Sequence, residues 1–367
     1  MAVITRPCYC TREEARRAAD IQLASYSDAK LDRAIHSASS DVDRLCMRNF
    51  MLIDKTVHFD WPNYQYAYPW RLWFDAAELA DVTVNPPVVN SGGVVIPNSA
   101  IFWGDPNYPE PPFTYLELDR SKNYSFGNGP TPQREVAITG SFGYWRVTEQ
   151  AGTLAAAITD TVSQSVTVSD GHTPGVGDMM FVDNERMLVT NSSFASLSLG
   201  FTAGITSAFA SDNSGTTAAT LVPDEVISVD QEFMLVQQVS PFLVIKRAWG
   251  GSTLASHAAN TPIYARRQLT VNRGVNGSTA ATHSNSAAVS ILSIPAPVKQ
   301  LAIAESIVFL TQEASSYSAI QTRVSEDSAL GGTGRSAIRE PQPGAGLDTL
   351  RFEVVQGYGR QARSRVI

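Results

Sequence analysis

Val182-Asp-Asn-Glu-Arg-Met-Leu-Val189 returns as Val229-Asp-Gln-Glu-Phe-Met-Leu-Val236. Each copy sets Asp-x-Glu between two apolar runs, the pattern of a hairpin bend with a strand on either side. A second motif is also duplicated: Arg247-Ala-Trp-Gly-Gly-Ser-Thr-Leu-Ala-Ser-His257 and Arg273-Gly-Val-Asn-Gly-Ser-Thr-Ala-Ala-Thr-His283 agree at six of eleven places. The order along the chain is first motif twice, then second motif twice, which tandem duplication does not produce. A nested arrangement does. Residues 197–267 then read as an inner β module set into a loop of an outer one, whose halves are 154–196 and 268–292. Crossed pairing between the halves is the alternative.

Around this region the composition is that of a folded protein. The 367 residues exceed what one compact core usually supports and predict two or three domains. Hydrophobic residues make up 43% and charged ones 17%, too little charge for a disordered chain. A net charge of −7 lacks the basic excess of a phosphate-tracking nucleic-acid binder. Of 28 basic residues 23 are Arg, a weak pointer to interfaces. Three cysteines (Cys8, Cys10, Cys46) are too few for a disulfide framework and fit synthesis in a reducing compartment. The N-terminal stretch carries charges where a signal peptide needs an apolar run, and no apolar stretch reaches the roughly 18 residues of a membrane span. Neither secretion by that route nor a membrane partner is expected.

The flanks of the repeat region read differently. Thr11-Arg-Glu-Glu14 has the form of a capping box, opening a short helix to about Leu23. Ser27 and Asp28 offer a second cap, and Leu31, Ile35, Ala38, Val42 and Leu45 make one apolar stripe of a helix over 28–47, with Asp32 and Asp43 off it. Short extended runs follow at Thr56–Phe59, Val82–Val84, Val94–Ile96, Tyr115–Leu118 and Val136–Thr139, broken by Pro and Gly. Helical spacing returns after Pro295 and Pro297 with Leu301, Ala304, Ile307, Val308 and Thr311. Leu350–Val355 reads as a strand or a helical turn, and the last residues carry Arg360, Arg363 and Arg365 without an acid.

The expected fold class is therefore α+β: a helical core with a small β-sheet region, plus an inserted all-β region of two nested small modules. Residues 1–153 and 293–349 would form the core, 154–292 the insertion and 350–367 a C-terminal arm.

Chemistry is hard to find. None of the five Lys residues sits in a phosphate-binding loop, and there is no Gly-x-Ser-x-Gly elbow. The five His residues contain no pair at metal-ligand spacing, and Cys8-x-Cys10 is shorter than a zinc knuckle. His257 and His283 recur at one place in the repeat; the ordinary use of such a His is to hydrogen-bond a turn backbone. Asp183/Glu185 and Asp230/Glu232 could bind calcium or serve as acid and base, but in a hairpin bend such pairs are usually solvated. Cys46 lies on the apolar side of its helix without a basic partner. No catalytic residue, cofactor or metal is expected, and the chain does not read as an enzyme. Between Phe59 and Phe74 eight of sixteen residues are aromatic, Tyr64, Tyr66, Tyr68, Trp70 and Trp73 among them. Packing within the fold or at a subunit interface is the expected use, since base stacking normally brings interleaved cations.

Three segments carry a resemblance. Thr11–Ala15 with Lys30–Phe50, ending Asp43-Arg-Leu-Cys-Met-Arg-Asn-Phe50, resembles the paired N-terminal helices of head-tail connector (adaptor) proteins of long-tailed bacteriophages. Val136-Ala-Ile-Thr-Gly-Ser-Phe-Gly-Tyr-Trp145 is similar to the strand and Gly-aromatic turn of that family, and Ile294-Pro-Ala-Pro-Val-Lys-Gln-Leu301 to the helix that normally follows it directly. The residues between are an insertion at one loop.

The resemblance implies a homo-oligomeric ring, usually of twelve copies, in the neck of a virion assembled in a bacterial cytoplasm. It would sit beneath the portal protein, above a stopper or tail-completion protein, and frame a channel for double-stranded DNA. A C-terminal arm commonly docks on the portal in such adaptors, which makes Arg360, Arg363 and Arg365 the candidates here. The inserted modules could contact capsid or neck decoration. The alternative is a virion-associated β-rich adsorption or carbohydrate-binding protein that uses the aromatic run or the repeat turns.

Overall fold

The computed structural model describes residues 4–18, 26–61, 68–74, 77–144, 146–201, 211–212, 220–240, 243–314 and 345–360. Its helices are α1 (Arg12–Ala18), α2 (Asp28–Cys46), α3 (Ala296–Ala314) and α4 (Ala345–Tyr358). No described helix is long and apolar enough to cross a membrane. Strands dominate. β1 (Ile53–Phe59), β2 (Arg71–Trp73), β3 (Val88–Ser91), β4 (Val94–Ile96), β5 (Ile101–Trp103), β6 (Tyr115–Leu118) and β7 (Val136–Phe142) come first. β8 (Thr148–Thr153), β9 (Ser165–Thr167), β10 (Met179–Val182), β11 (Glu185–Gly200), β12 (Ser211–Asp212) and β13 (Val226–Val229) follow. β14 (Glu232–Gln238), β15 (Leu243–Lys246), β16 (Pro262–Asn272) and β17 (Ala288–Leu292) complete the set.

These strands form three antiparallel sheets. One has the order β1-β7-β3-β4 and another β2-β6-β5. The third has ten strands, in the order β12-β15-β14-β13-β16-β11-β10-β17-β8 with β9 also on β16. Its spine is the long pair β11 and β16, in register from Leu188 opposite Asn272 to Ala195 opposite Ala265 and beyond, with bulges. Both Asp-x-Glu motifs are two-residue bends, Val182 facing Glu185 in one hairpin and Val229 facing Glu232 in the other.

The helices end where local chemistry stops them. Thr11 Oγ1 accepts the Glu14 N–H at 3.1 Å while Glu14 Oε2 accepts the Thr11 N–H at 2.9 Å, the reciprocal cap of α1. α2 closes with Met47 in the left-handed region (φ 51°), its N–H returned to the Asp43 carbonyl. Asp32, off the apolar stripe by spacing, is nevertheless buried, because Arg12 of α1 grips it through Nε (2.7 Å) and Nη2 (2.8 Å). In α3 the buried face is Val298, Leu301, Ala302, Glu305 and Leu310, turned from the expected stripe. Glu305 can lie inward because Arg351 of α4 meets it at 2.6 and 2.9 Å.

The expected fold class is corrected by this arrangement. The protein is mostly β, and its helices make no core of their own. Leu31, Ile35 and Val42 of α2, with Val298 and Leu301 of α3, share one apolar cluster with Met179, Met187, Val189, Val271 and Val289 of the ten-stranded sheet. A helix that buries one stripe needs a second layer, and here that layer is a sheet. Nor are the repeats two separate small modules: β11 and β16 run through both, and their strands belong to one sheet. A second cluster (Leu72, Phe74, Leu79, Val89, Leu116, Ile138) lies with the two smaller sheets, and a third (Ile227, Met234, Val236, Ile263) at the far end of the large one.

Two local expectations also change. Val82–Val84 is not a strand, because the Asp81 carboxylate takes the N–H groups of Thr83 (2.9 Å), Val84 (3.1 Å) and Asn85 (2.9 Å), removing them from any ladder. Residues 350–355 are helical, inside α4.

Candidate functional site

The corner between α2 and β1 joins distant parts of the chain. Phe50 is fully buried, its ring 5.5 Å from Tyr9, 5.2 Å from Tyr144 and 6.2 Å from Tyr358. Its N–H donates to the Tyr9 hydroxyl (3.1 Å), which in turn donates to Asp43. Tyr144 follows Gly143, where a Cβ would stand 2.4 Å from the Met51 carbonyl oxygen; only glycine lets the two segments approach so closely.

Charges close the same corner. The Arg48 guanidinium lies 4.3 Å above the Tyr144 ring and donates to Glu78 at 3.0 Å. Arg360 reaches the other oxygen of Glu78 at 3.4 Å, and its N–H donates to the Cys46 carbonyl at 2.8 Å. Of the three arginines expected in a docking arm, Arg360 is thus held by the body of the chain. Arg363 and Arg365 lie outside the described residues.

The two repeat bends carry twin clamps. Arg273 donates through Nε and Nη2, both at 2.6 Å, to Glu185, which also accepts from the N–H groups of Ala281 (2.9 Å) and Gly274 (3.1 Å). His283 stands between two carboxylates, Nδ1 at 2.7 Å from Asp183 and Nε2 at 2.9 Å from Glu185. The second copy repeats this group by group: Arg247, Ala255 and Ala248 N–H on Glu232, and His257 at 2.7 Å from Asp230 and 3.0 Å from Glu232. Each first-motif copy therefore joins the second-motif copy that nesting pairs with it.

Burial alone would raise the pKa of Glu185, but Arg273, the Ala281 amide and His283 outweigh it and hold the value at about 2. Glu232 is held at about 2 in the same way, against its own burial, by Arg247, the Ala255 amide and His257. The sequence expectations for these groups are corrected here. The histidines bond carboxylates rather than turn backbone, because the turn amides are already taken by the glutamates. Neither glutamate is solvated or free to bind calcium, since both of its oxygens are committed to donors. Among the described residues no cluster of His, Cys, Asp and Glu is placed to hold a metal ion. The clamps fasten a loop to a bend, while Asp183 and Asp230 at the bends stay largely exposed, as the hairpin reading expects.

Comparison with protein-family models, with curated proteins and with solved structures gives no match.

Tyr64 and Tyr66 of the aromatic run lie outside the described residues. Tyr68 is half exposed and meets Trp70 edge-on at 5.5 Å, while Trp73 packs at 4.5 Å on Tyr115. Cations are nearer than the local sequence indicates. Arg71 lies within 5.5 Å of the Tyr68, Trp73 and Tyr115 rings, and Arg120, from a distant loop, is 4.5 Å from Trp70. Trp70 packs against the second apolar cluster.

All three cysteines are buried free thiols. Burial pushes Cys8 up to about 12 and Cys46 to about 11, so neither forms a nucleophilic thiolate near neutral pH. The role of Arg247 and Arg273 was missed by residue-type reasoning, yet a signal existed: each stands in both copies at a fixed distance before its His, beside an Asp-x-Glu that is also doubled.

Proposed function

We propose that the chain is a structural protein of a long-tailed bacteriophage virion. It forms a ring at the head-tail junction beneath the portal, joining capsid to tail and framing the DNA channel. One observation carries this reading: the three segments that resemble connector proteins, far apart in sequence, meet at one corner. Phe50, ending the first, is 5.2 Å from Tyr144 in the second, and α2 packs along α3, which holds the third.

Other features agree with a scaffold. The buried thiols and the committed carboxylates offer no reacting group. A net charge of −7 suits a lumen through which DNA slides, because fixed cations would retain phosphates. The partners are the portal protein, a stopper or tail-completion protein and further copies of this chain, usually twelve in such rings, with the large sheet available to capsid or neck decoration.

The arm is the part to test in isolation. Val354 is fully buried and Arg351 holds Glu305, so truncation must begin after Arg360 to spare the fold. Removing residues 361–367 is expected to abolish retention of the chain by the portal protein encoded with it, with the circular dichroism spectrum unchanged. Retention at the wild-type level would contradict portal docking by the arm.

A further inference from the structure

The two second-motif loops are held alike but meet different surroundings. Ser278 Oγ accepts the Arg186 N–H at 2.9 Å in one copy, and Ser252 Oγ accepts the Phe233 N–H at 3.0 Å in the other. Arg186 therefore corresponds to Phe233, and Val275-Asn276 to Trp249-Gly250. The first loop docks on a strand edge. The Asn276 carbonyl accepts the outward N–H of Asp54 in β1 at 2.9 Å and Arg186 Nη1 at 3.0 Å, while Arg186 Nη2 pairs with the Asp54 carboxylate at 2.9 Å. Asn276 Nδ2 adds a bond to the Leu52 carbonyl, also 2.9 Å.

The second loop meets no such edge. Among the described residues the Gly250 carbonyl accepts no hydrogen bond, and Trp249, Gly250 and Phe233 border an open cleft. The counterpart of the Arg186 cation is Phe233 and that of Val275 is Trp249, so this loop fits a strand edge whose outward residue is apolar where β1 has Asp54. The chain carries one. β1 and β4 are the two edges of the same four-stranded sheet. The Gly92 N–H bonds the Glu135 carbonyl, so by alternation Asn90 serves β7, Val89 and Ser91 serve β4, and Val95, opposite Asn90, turns its N–H and C=O outward. Val95 is 57% exposed and Val94 44%, an apolar edge open to pairing.

We infer that the Trp249-Gly250 loop docks on the β4 edge of a second copy of this chain. The Val95 N–H of one copy donates to the Gly250 carbonyl of the next, and the Val95 side chain lies on Phe233 and Trp249. The contact joins two different patches, so it repeats head to tail and closes a ring where the rotation allows. It rests on the ring reading above and names the surfaces that make the ring.

The test is sedimentation of the full chain over a range of concentrations, alone and with the portal protein encoded with it. Val95→Asp sets an unpaired carboxylate against Phe233 and Trp249, and is expected to weaken association of the copies at least about tenfold with the thermal midpoint unchanged. Adding Phe233→Arg to that chain rebuilds, between copies, the pair that Arg186 and Asp54 make within one, and is expected to restore association. Undiminished association in Val95→Asp, or no restoration by Phe233→Arg, would overturn this contact and leave the ring reading standing. A wild-type chain that associates neither alone nor with the portal protein would overturn both.

Discussion

Arg273 holds Glu185 by two 2.6 Å hydrogen bonds across 88 positions of sequence, while Arg247 makes the equivalent bonds to Glu232 across only 15. The same clamp thus fastens a long excursion of the chain in one copy and a short one in the other. Glu185→Ala leaves Arg273 and His283 buried without their shared partner, and breaking such a buried pair costs about 3–5 kcal/mol. Urea unfolding of Glu185→Ala is expected to show that loss. Hydrogen exchange should place the loosening in β10, β11, β16 and β17, whereas Glu232→Ala should loosen β13 to β15.

Acid should release both clamps together. Glu185 and Glu232 are lowered from an ordinary 4.5 to about 2, so their contribution is complete above about pH 4.5. It declines as pH falls from there through about 2. Stability measured by denaturant between pH 6 and pH 2 is expected to fall chiefly below about 4.5. Glu185→Gln combined with Glu232→Gln should flatten that part of the profile.

Much of the local structure was legible in the sequence. The cap at Thr11, the stripe from Leu31 to Val42 and the two Asp-x-Glu bends all follow from periodicity and turn chemistry within a few residues. What these elements pack against was not legible. The stripe of α2 is as consistent with a helical bundle as with a sheet, and the spine of that sheet pairs Val189 with Val271, far away in the chain. Glu305 and Asp32 look like surface residues until Arg351 and Arg12 arrive from other helices. The histidine clamps required the doubled Arg to be weighed together with the doubled Asp-x-Glu and His.

The C-terminal helix should be held by its last described residue. Arg360→Ala removes a partly exposed ion pair with Glu78, a loss of about 1 kcal/mol or less. Hydrogen exchange is expected to quicken over residues 355–360 and to leave the large sheet unchanged. Glu78→Gln, which also releases Arg48 from a buried carboxylate, should cost more in the same measurement.

The thiols should be silent until the chain unfolds. All three cysteines are buried, with Cys8 pushed up to about 12 and Cys46 to about 11 by that burial. A thiol reagent at pH 8 is expected to label none of them in the native chain and all three in denaturant.

A nonsense codon placed early in the gene tests the head-tail reading most directly. Infection under non-suppressing conditions, followed by electron microscopy, should give filled or partly filled heads and finished tails that fail to join. Intact virions, whether infectious or unable to adsorb to the host, would contradict it.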